Sequence, residues 1–233
     1  MNLPAHYAAM RAAALQQFAQ GAADLDPLLD APNDTRRGLT LLARPAPPLA
    51  AAIVGLLAEL RRTEPAQYYY PAADLHLTVL SLISCYPGFT LAAIEPEKYR
   101  RLVAETVQDI LPFTVTLAGL TASPGGILVQ GFPTDGGLEL LRARLREAFR
   151  ASGLPQSIDQ RYSLQTAHLT VVRFRRPLLD YRPVVEFIEK YQQHFIGAFK
   201  ITQLEVVFND WYQRSQHTKL LATCPLPTGS QQP

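Results

Sequence analysis

The reading turns on Thr166-Ala167-His168-Leu169-Thr170-Val171-Val172-Arg173-Phe174, a β-branched apolar run that carries one imidazole among hydroxyls. Its core, His168-Leu169-Thr170-Val171, recurs as His76-Leu77-Thr78-Val79 within Asp74-Leu75-His76-Leu77-Thr78-Val79-Leu80-Ser81-Leu82-Ile83. Side chains alternate between the faces of a strand, so each copy presents His and Thr on one face and anchors Leu and Val on the other. Brought face to face, two imidazoles and two hydroxyls suit acid–base work on a phosphate. One neutral imidazole takes a proton from a nucleophile while the other, protonated, gives one to a leaving oxygen. The hydroxyls of Thr78 and Thr170 donate to phosphate oxygens as charge develops. One ring must be neutral and one charged, so a bell-shaped pH profile is expected. Near-symmetry lets either ring take either role; His168 as base and His76 as acid is the trial assignment. The chemistry calls for no metal, no cofactor and no covalent nucleophile.

Outward from the motifs, the chain is ordinary for a soluble protein. It has 233 residues, is 48% hydrophobic and 18% charged, and carries a net charge of +2. That charge admits a phosphate-bearing ligand but falls short of a protein that coats duplex DNA. Cys85 and Cys224 form neither a metal pattern nor a disulfide framework, which reads as a reduced, cytoplasmic protein. No apolar run is long enough to span a bilayer, and the amino terminus does not read as a secretory signal. A monomer without membrane contact is the expectation.

Periodicity places a helix at 5–22 on the outside of the core, through Tyr7, Met10, Ala14, Leu15 and Phe18, then a loop to 38. Strands are expected at 39–44, 67–70, 75–83, 113–120, 127–132, 166–174, 200–208 and 218–223. Further helices are expected at 48–62, 95–110, 137–151 and 183–195. The arginines of the 137–151 helix fall on its polar face in this reading, with Asp135 as cap. The histidines stand 92 positions apart, consistent with a duplicated βα unit. Two halves, each with one motif strand, are the economical organisation: an extension at 1–38, one bilobal domain at 39–225, and a tail at 226–233.

Paired His-x-Thr-x motifs in apolar strands about ninety residues apart resemble the two-histidine (2H) phosphoesterase superfamily. Its LigT-like members are the 2′,3′-cyclic phosphodiesterases of RNA ends once called 2′-5′ RNA ligases. His168-Leu169-Thr170-Val171-Val172-Arg173 is similar to the His-x-Thr-Leu-x-Arg form common there. The resemblance implies an α+β, bilobal LigT-like fold, with two pseudo-twofold-related sheet-plus-helix lobes around a central cleft. It implies that His76 and His168 are catalytic and that Thr78 and Thr170 clamp the phosphate. It implies, too, that the partner is a nucleotide or RNA end with a cyclic phosphate, and that no metal or other cofactor takes part. A catalytically silent nucleotide- or RNA-binding module of the same fold is the alternative. The extra N-terminal helix and the cluster Tyr68-Tyr69-Tyr70 depart from the shorter LigT proteins.

Other candidates are weaker. Asp74 and Thr166 each lie two residues before a motif histidine, on the same strand face, and Asp74 stands as a candidate to hold an imidazole tautomer. Regular parity turns Arg173 away from the cleft, so a bulge is needed to bring it in. Tyr70 and Phe174 are the foremost stacking candidates for a base, with Phe132, Trp211 and Tyr212 behind them. Arg36-Arg37 is a pair that would steer a phosphate. His6, His194 and His217 lack the motif spacing.

Overall fold

Alternating apolar residues bounded by prolines give two antiparallel sheets, and helices cover the outer face of each. The computed structural model describes residues 2–227, so the expected tail lies, from residue 228 on, outside the described residues. The first sheet has the order β3-β1-β8-β9, from β3 (Leu77–Pro87), β1 (Arg36–Ala43), β8 (Gln203–Asp210) and β9 (Lys219–Pro225). The second has the order β2-β6-β5-β4-β7, from β2 (Tyr68–Tyr69), β6 (Leu169–Arg173), β5 (Gly126–Pro133), β4 (Phe113–Ser123) and β7 (Phe195–Ile201). From the motif strands onward the two orders correspond, β3-β1-β8-β9 against β6-β5-β4-β7, with β2 an added edge strand on the second sheet, and the bilobal α+β architecture follows.

The lobes are not the two halves of the sequence. β1 and β3 share a sheet with C-terminal β8 and β9, through the pairing of β1 with β8, whereas β2, from the first third, joins the second sheet. Helices cross over in the same way. α2 (Pro47–Thr63) follows β1 of the first sheet yet packs on β7 of the second, beside α1 (Leu3–Ala19) and α5 (Arg182–Lys190) on β4. α4 (Gly137–Ser152) follows β5 of the second sheet yet packs on β3 of the first, with α3 (Pro96–Thr106) beside it. This exchange puts α4 beneath both motif strands.

Several boundaries differ from the expectation. The run at 200–208 is two strands in different sheets, because the chain passes from β7 to β8 at Thr202. The helix expected to reach 195 ends at Lys190, and Phe195 begins β7. β1 begins at Arg36, so the arginine pair opens a strand; Arg36 forks onto Asp34 and bonds the Tyr212 hydroxyl. Asp135 accepts from the Gly137 N–H at 2.8 Å at the start of α4, as a residue ahead of the cap. α1 buries Tyr7, Ala14 and Phe18, and Phe18 meets Phe174 edge-on at 5.3 Å. Among the described residues no helix is long and apolar enough to cross a membrane.

Candidate active site

Each motif histidine stands one residue ahead of its strand, His76 before β3 and His168 before β6. The strands belong to different sheets, and their motif faces meet across one cavity of about 160 Å³. His76, Thr78, His168, Thr170, Arg173 and Tyr70 all line it.

Two bulges, at matching positions, decide which side chains reach the cavity. In β3, Leu42 pairs with Thr78 and Leu41 with Leu80, which leaves Val79 as the extra residue. In β6, Leu128 pairs with Thr170 and Ile127 with Val172, which leaves Val171 extra. A bulge reverses the alternation beyond it. Ser81 therefore joins Thr78, and Arg173 joins Thr170, on the cleft side. A second bulge, at Leu82, keeps Ser84 on the same face. The reversal turns Phe174 the other way: it is 0% exposed in the core under α1, away from the cleft.

The backbone groups freed by the bulges are taken up by neighbours. The Val171 carbonyl accepts from the Tyr70 N–H at 3.0 Å. The Thr78 and Val79 carbonyls accept from Arg142 of α4 at 3.0 and 2.9 Å. Arg142 also donates to the Thr166 carbonyl at 2.8 Å, so one guanidinium joins both motifs from beneath. It is 3% exposed, which corrects the expectation that the α4 arginines all lie on a polar face. Helical periodicity does carry a sign of it, since Arg142 stands on the stripe of Leu138, Leu141, Leu145 and Phe149; which carbonyls it meets is set only when the strand is placed.

The imidazoles are held differently. His76 Nδ1 lies 2.7 Å from the Asp74 carbonyl, which only accepts; the proton is therefore on Nδ1, and Nε2 is free. The Asp74 carboxylate is turned elsewhere and accepts from the Ser215 N–H, so Asp74 acts on His76 through its backbone. His168 Nδ1 lies 2.7 Å from the Thr166 hydroxyl, which can serve either tautomer. Burial pushes both rings down to about 4, so both are neutral near pH 7. For His76 the Asp74 carbonyl opposes that push, while Arg44, Arg173 and His168 add to it. For His168, Arg142 and Arg173 add to the push.

Tyr70 is buried, and its hydroxyl accepts from Arg173 Nε at 2.9 Å. Its ring packs edge-on to Tyr68 at 5.1 Å and lies 6.4 Å from His76. It is thus a wall that aims Arg173, with no open face for a base. Phe132 packs on Tyr7, and Tyr212 is buried with its hydroxyl donating to Asp26. Trp211 does line the cavity, with the guanidinium groups of Arg161 and Arg36 over its ring at 5.0 and 5.3 Å. Arg161 belongs to the segment between α4 and β6, which also brings Ser157 to the rim. Ser157 donates to the Leu82 carbonyl and accepts from the Ser84 N–H. Among the described residues no three His, Cys, Asp or Glu side chains converge as a metal site.

The sequence matches the 2′-5′ RNA ligase superfamily over residues 45–207. TT0787 of Thermus thermophilus superposes with a TM-score of 0.58 at 15% identity, over 83% of this chain and 99% of that one. LigT of E. coli complexed with 3′-AMP superposes with a TM-score of 0.56 at 16% identity, again over 83% and 99%. LigT complexed with ATP gives 0.53 at 16% identity over the same shares. No curated protein matches at a significant level. With the matched stretch spanning most of the chain, and a LigT-like fold around it, this protein belongs to the 2′-5′ RNA ligase superfamily, within the two-histidine phosphoesterases.

Proposed function

We propose that the protein is a phosphodiesterase that hydrolyses a 2′,3′-cyclic phosphate on a nucleotide or RNA end without a metal ion. The observation that carries this reading is the convergence of His76, Thr78, His168 and Thr170 on one cavity from two separate sheets. Superfamily membership supports a phosphoesterase-type activity, and the LigT structures with 3′-AMP and ATP support a nucleotide as ligand.

In this mechanism the phosphate sits between the two rings. Neutral His168 takes a proton from water as its oxygen bonds to phosphorus. His76, protonated, gives its proton to the ribose oxygen as the bond from phosphorus to that oxygen breaks. The product is a phosphate monoester beside a free hydroxyl, and the two rings have exchanged protonation states. Arginines disfavour the charged form at both rings, but the Asp74 carbonyl favours it at His76, whereas His168 Nδ1 faces the Thr166 hydroxyl, which serves either tautomer. That contrast assigns acid to His76 and base to His168. Binding of an anionic phosphate raises the pKa of the acid ring toward working pH. Thr78, Thr170 and Arg173 donate to the non-bridging oxygens as they gain charge. The cavity, at about 160 Å³, holds the phosphate and part of the sugar, and the base lies toward Trp211 at its rim.

The test is turnover of 2′,3′-cyclic nucleotides and cyclic-phosphate-ended RNA in excess chelator. Ring opening to a monoester is expected. Tight nucleotide binding with no turnover of any of these would favour the silent binding module, and loss of turnover in chelator, restored by zinc or manganese, would end the metal-free mechanism.

A further inference from the structure

Helix α1 lies ahead of the 45–207 stretch that matches the superfamily, and it inserts one polar atom into the second sheet. Tyr7 is 0% exposed. Its hydroxyl accepts from the Ala167 N–H at 3.1 Å and donates to the Gly131 carbonyl at 3.2 Å. In the pairing of β5 with β6, Val129 stands opposite Leu169. Two residues on, the same register sets Gly131 against Ala167, and there the Tyr7 hydroxyl bridges the two backbones. A Cβ at Gly131 would lie 1.8 Å from the Ala167 carbonyl oxygen, so the approach tolerates only glycine. β6 accordingly begins at Leu169, and the peptide N–H of the residue before His168 finds its partner on α1. Beside it, Arg142 holds the Thr166 carbonyl at 2.8 Å, and the Thr166 hydroxyl meets His168 Nδ1 at 2.7 Å.

We infer that α1 is a positioning element for the second histidine: the Tyr7 hydroxyl fixes the Ala167 peptide in the gap between β5 and β6 and so holds the His168 ring against Thr166. The inference rests on the acid–base reading of His168 given above. Only a hydroxyl both accepts from the N–H and donates to the carbonyl at this point. Phenylalanine fills the same space and does neither, so the Ala167 N–H and the Gly131 carbonyl lose this partner, as does the Gly131 N–H, which donates to the same hydroxyl at 3.4 Å. The segment then relaxes to find other partners, and the imidazole moves with it. The titratable and charged groups around the His168 ring are Arg142 from α4, Arg173 from β6 and His76 ahead of β3. Burial keeps Tyr7 itself neutral. A change at His168 in Tyr7→Phe therefore reports geometry and not a lost charge.

The experiment compares Tyr7→Phe with Phe18→Leu, which loosens the same helix against Phe174 without touching Ala167. Two readouts are taken well below the melting temperature: steady-state hydrolysis of 2′,3′-cyclic AMP, and ring ¹⁵N signals of the histidines. Tyr7→Phe is expected to lower kcat by about ten- to a hundredfold with KM within twofold, the scale of a misplaced catalytic group. It should move the ring signals of His168 and leave those of His76. Phe18→Leu should leave both readouts as in the wild type. Unmoved His168 signals, wild-type kcat in Tyr7→Phe, or an equal loss in Phe18→Leu would each overturn the inference. The ring signals need no turnover, so a wild-type protein that hydrolyses nothing would sink the phosphodiesterase reading and leave this test standing.

Discussion

Replacing Arg142 with methionine tests whether the two motifs are held together from beneath. The guanidinium makes three hydrogen bonds, all to carbonyls: Val79 at 2.9 Å, Thr78 at 3.0 Å and Thr166 at 2.8 Å. A bond from a charged donor contributes roughly 1.5–3 kcal/mol, so three contribute about 5–9 kcal/mol. Against this stands the cost of burying the charge. Burial pulls the Arg142 pKa down to about 10, which corresponds to roughly 3 kcal/mol. Methionine matches the length and packs well, but it strands the three carbonyls. The expected net loss is about 2–6 kcal/mol, a large share of the stability of a typical domain. Urea unfolding followed by fluorescence of Trp211, the single tryptophan, reads it directly. Arg142→Lys should fall between the two, because an ammonium reaches some of the carbonyls without the planar fork. Turnover should drop in both variants under conditions where they are fully folded. A loss under about 1 kcal/mol in Arg142→Met, with wild-type kcat, would show that the bulged backbones need no support from α4.

Four further outcomes follow from the same geometry. Both histidines are pushed down to about 4, so kcat/KM should climb as pH falls from 8 toward 5, and a profile flat over that range would contradict the buried neutral pair. Between the ordinary histidine pKa and about 4, the native rings bind fewer protons than the unfolded ones; stability is therefore full above that window and lost as pH falls through it, by at most about 3 kcal/mol per ring, visible as a falling urea midpoint. His76→Ala and His168→Ala should each cost about 10²–10⁴-fold in turnover, and the double variant should be scarcely worse; multiplied losses would show that the rings do not serve one step. Thr78→Val and Thr170→Val keep the strand shape and remove only the hydroxyl, so kcat should fall more than substrate affinity weakens, and wild-type kcat in both would make the threonines strand formers.

The repeated His-Leu-Thr-Val pattern made the fold class and the motif strands legible, because strand parity and β-branched runs are local signals. The lobe composition was not legible. Nothing local to 200–208 says that the chain leaves one sheet at Thr202 and enters the other, since both strands draw on the same apolar vocabulary. Nor does anything local to α4 say that it crosses to the first sheet. Arg142 falls on the apolar stripe of Leu138, Leu141, Leu145 and Phe149 and Arg144 lies off it, 40% exposed beside Asp109, but the stripe does not say whether a buried arginine finds partners or is stranded. That is decided by the sheet that α4 meets, and the contact is long-range.

At the site, parity held for the motif residues and failed immediately beyond them, for one reason. His76 and Thr78, like His168 and Thr170, precede the bulges, so alternation of period two carries them to the cleft. Beyond Val79 and Val171 the alternation reverses. Regular parity would send Arg173 outward and Phe174 inward to the cleft; the bulge sends the cation to the cleft and the ring to the core. The exchange also suits the chemistry of the side chains. A fully apolar ring in a polar cavity leaves its surface wet, whereas a guanidinium in the core is stranded without partners. The bulge turns Phe174 toward Phe18 and Arg173 toward the Tyr70 hydroxyl in one step. The same bulge at Val79 in the other lobe brings Ser81 to the position matching Arg173, so of this matched pair only the β6 residue carries a charge. A pseudo-twofold site thus has an electrostatic direction. In the proposed mechanism the leaving ribose oxygen takes its proton from His76, and the non-bridging oxygens accept from Arg173. Exchanging the two residues, as Ser81→Arg with Arg173→Ser, should weaken phosphate binding at its original position and slow turnover even though the charge of the cavity is unchanged. Wild-type kcat/KM in that double variant would show that the side on which the arginine stands is immaterial, and Arg173 would lose its place as the donor to the non-bridging oxygens.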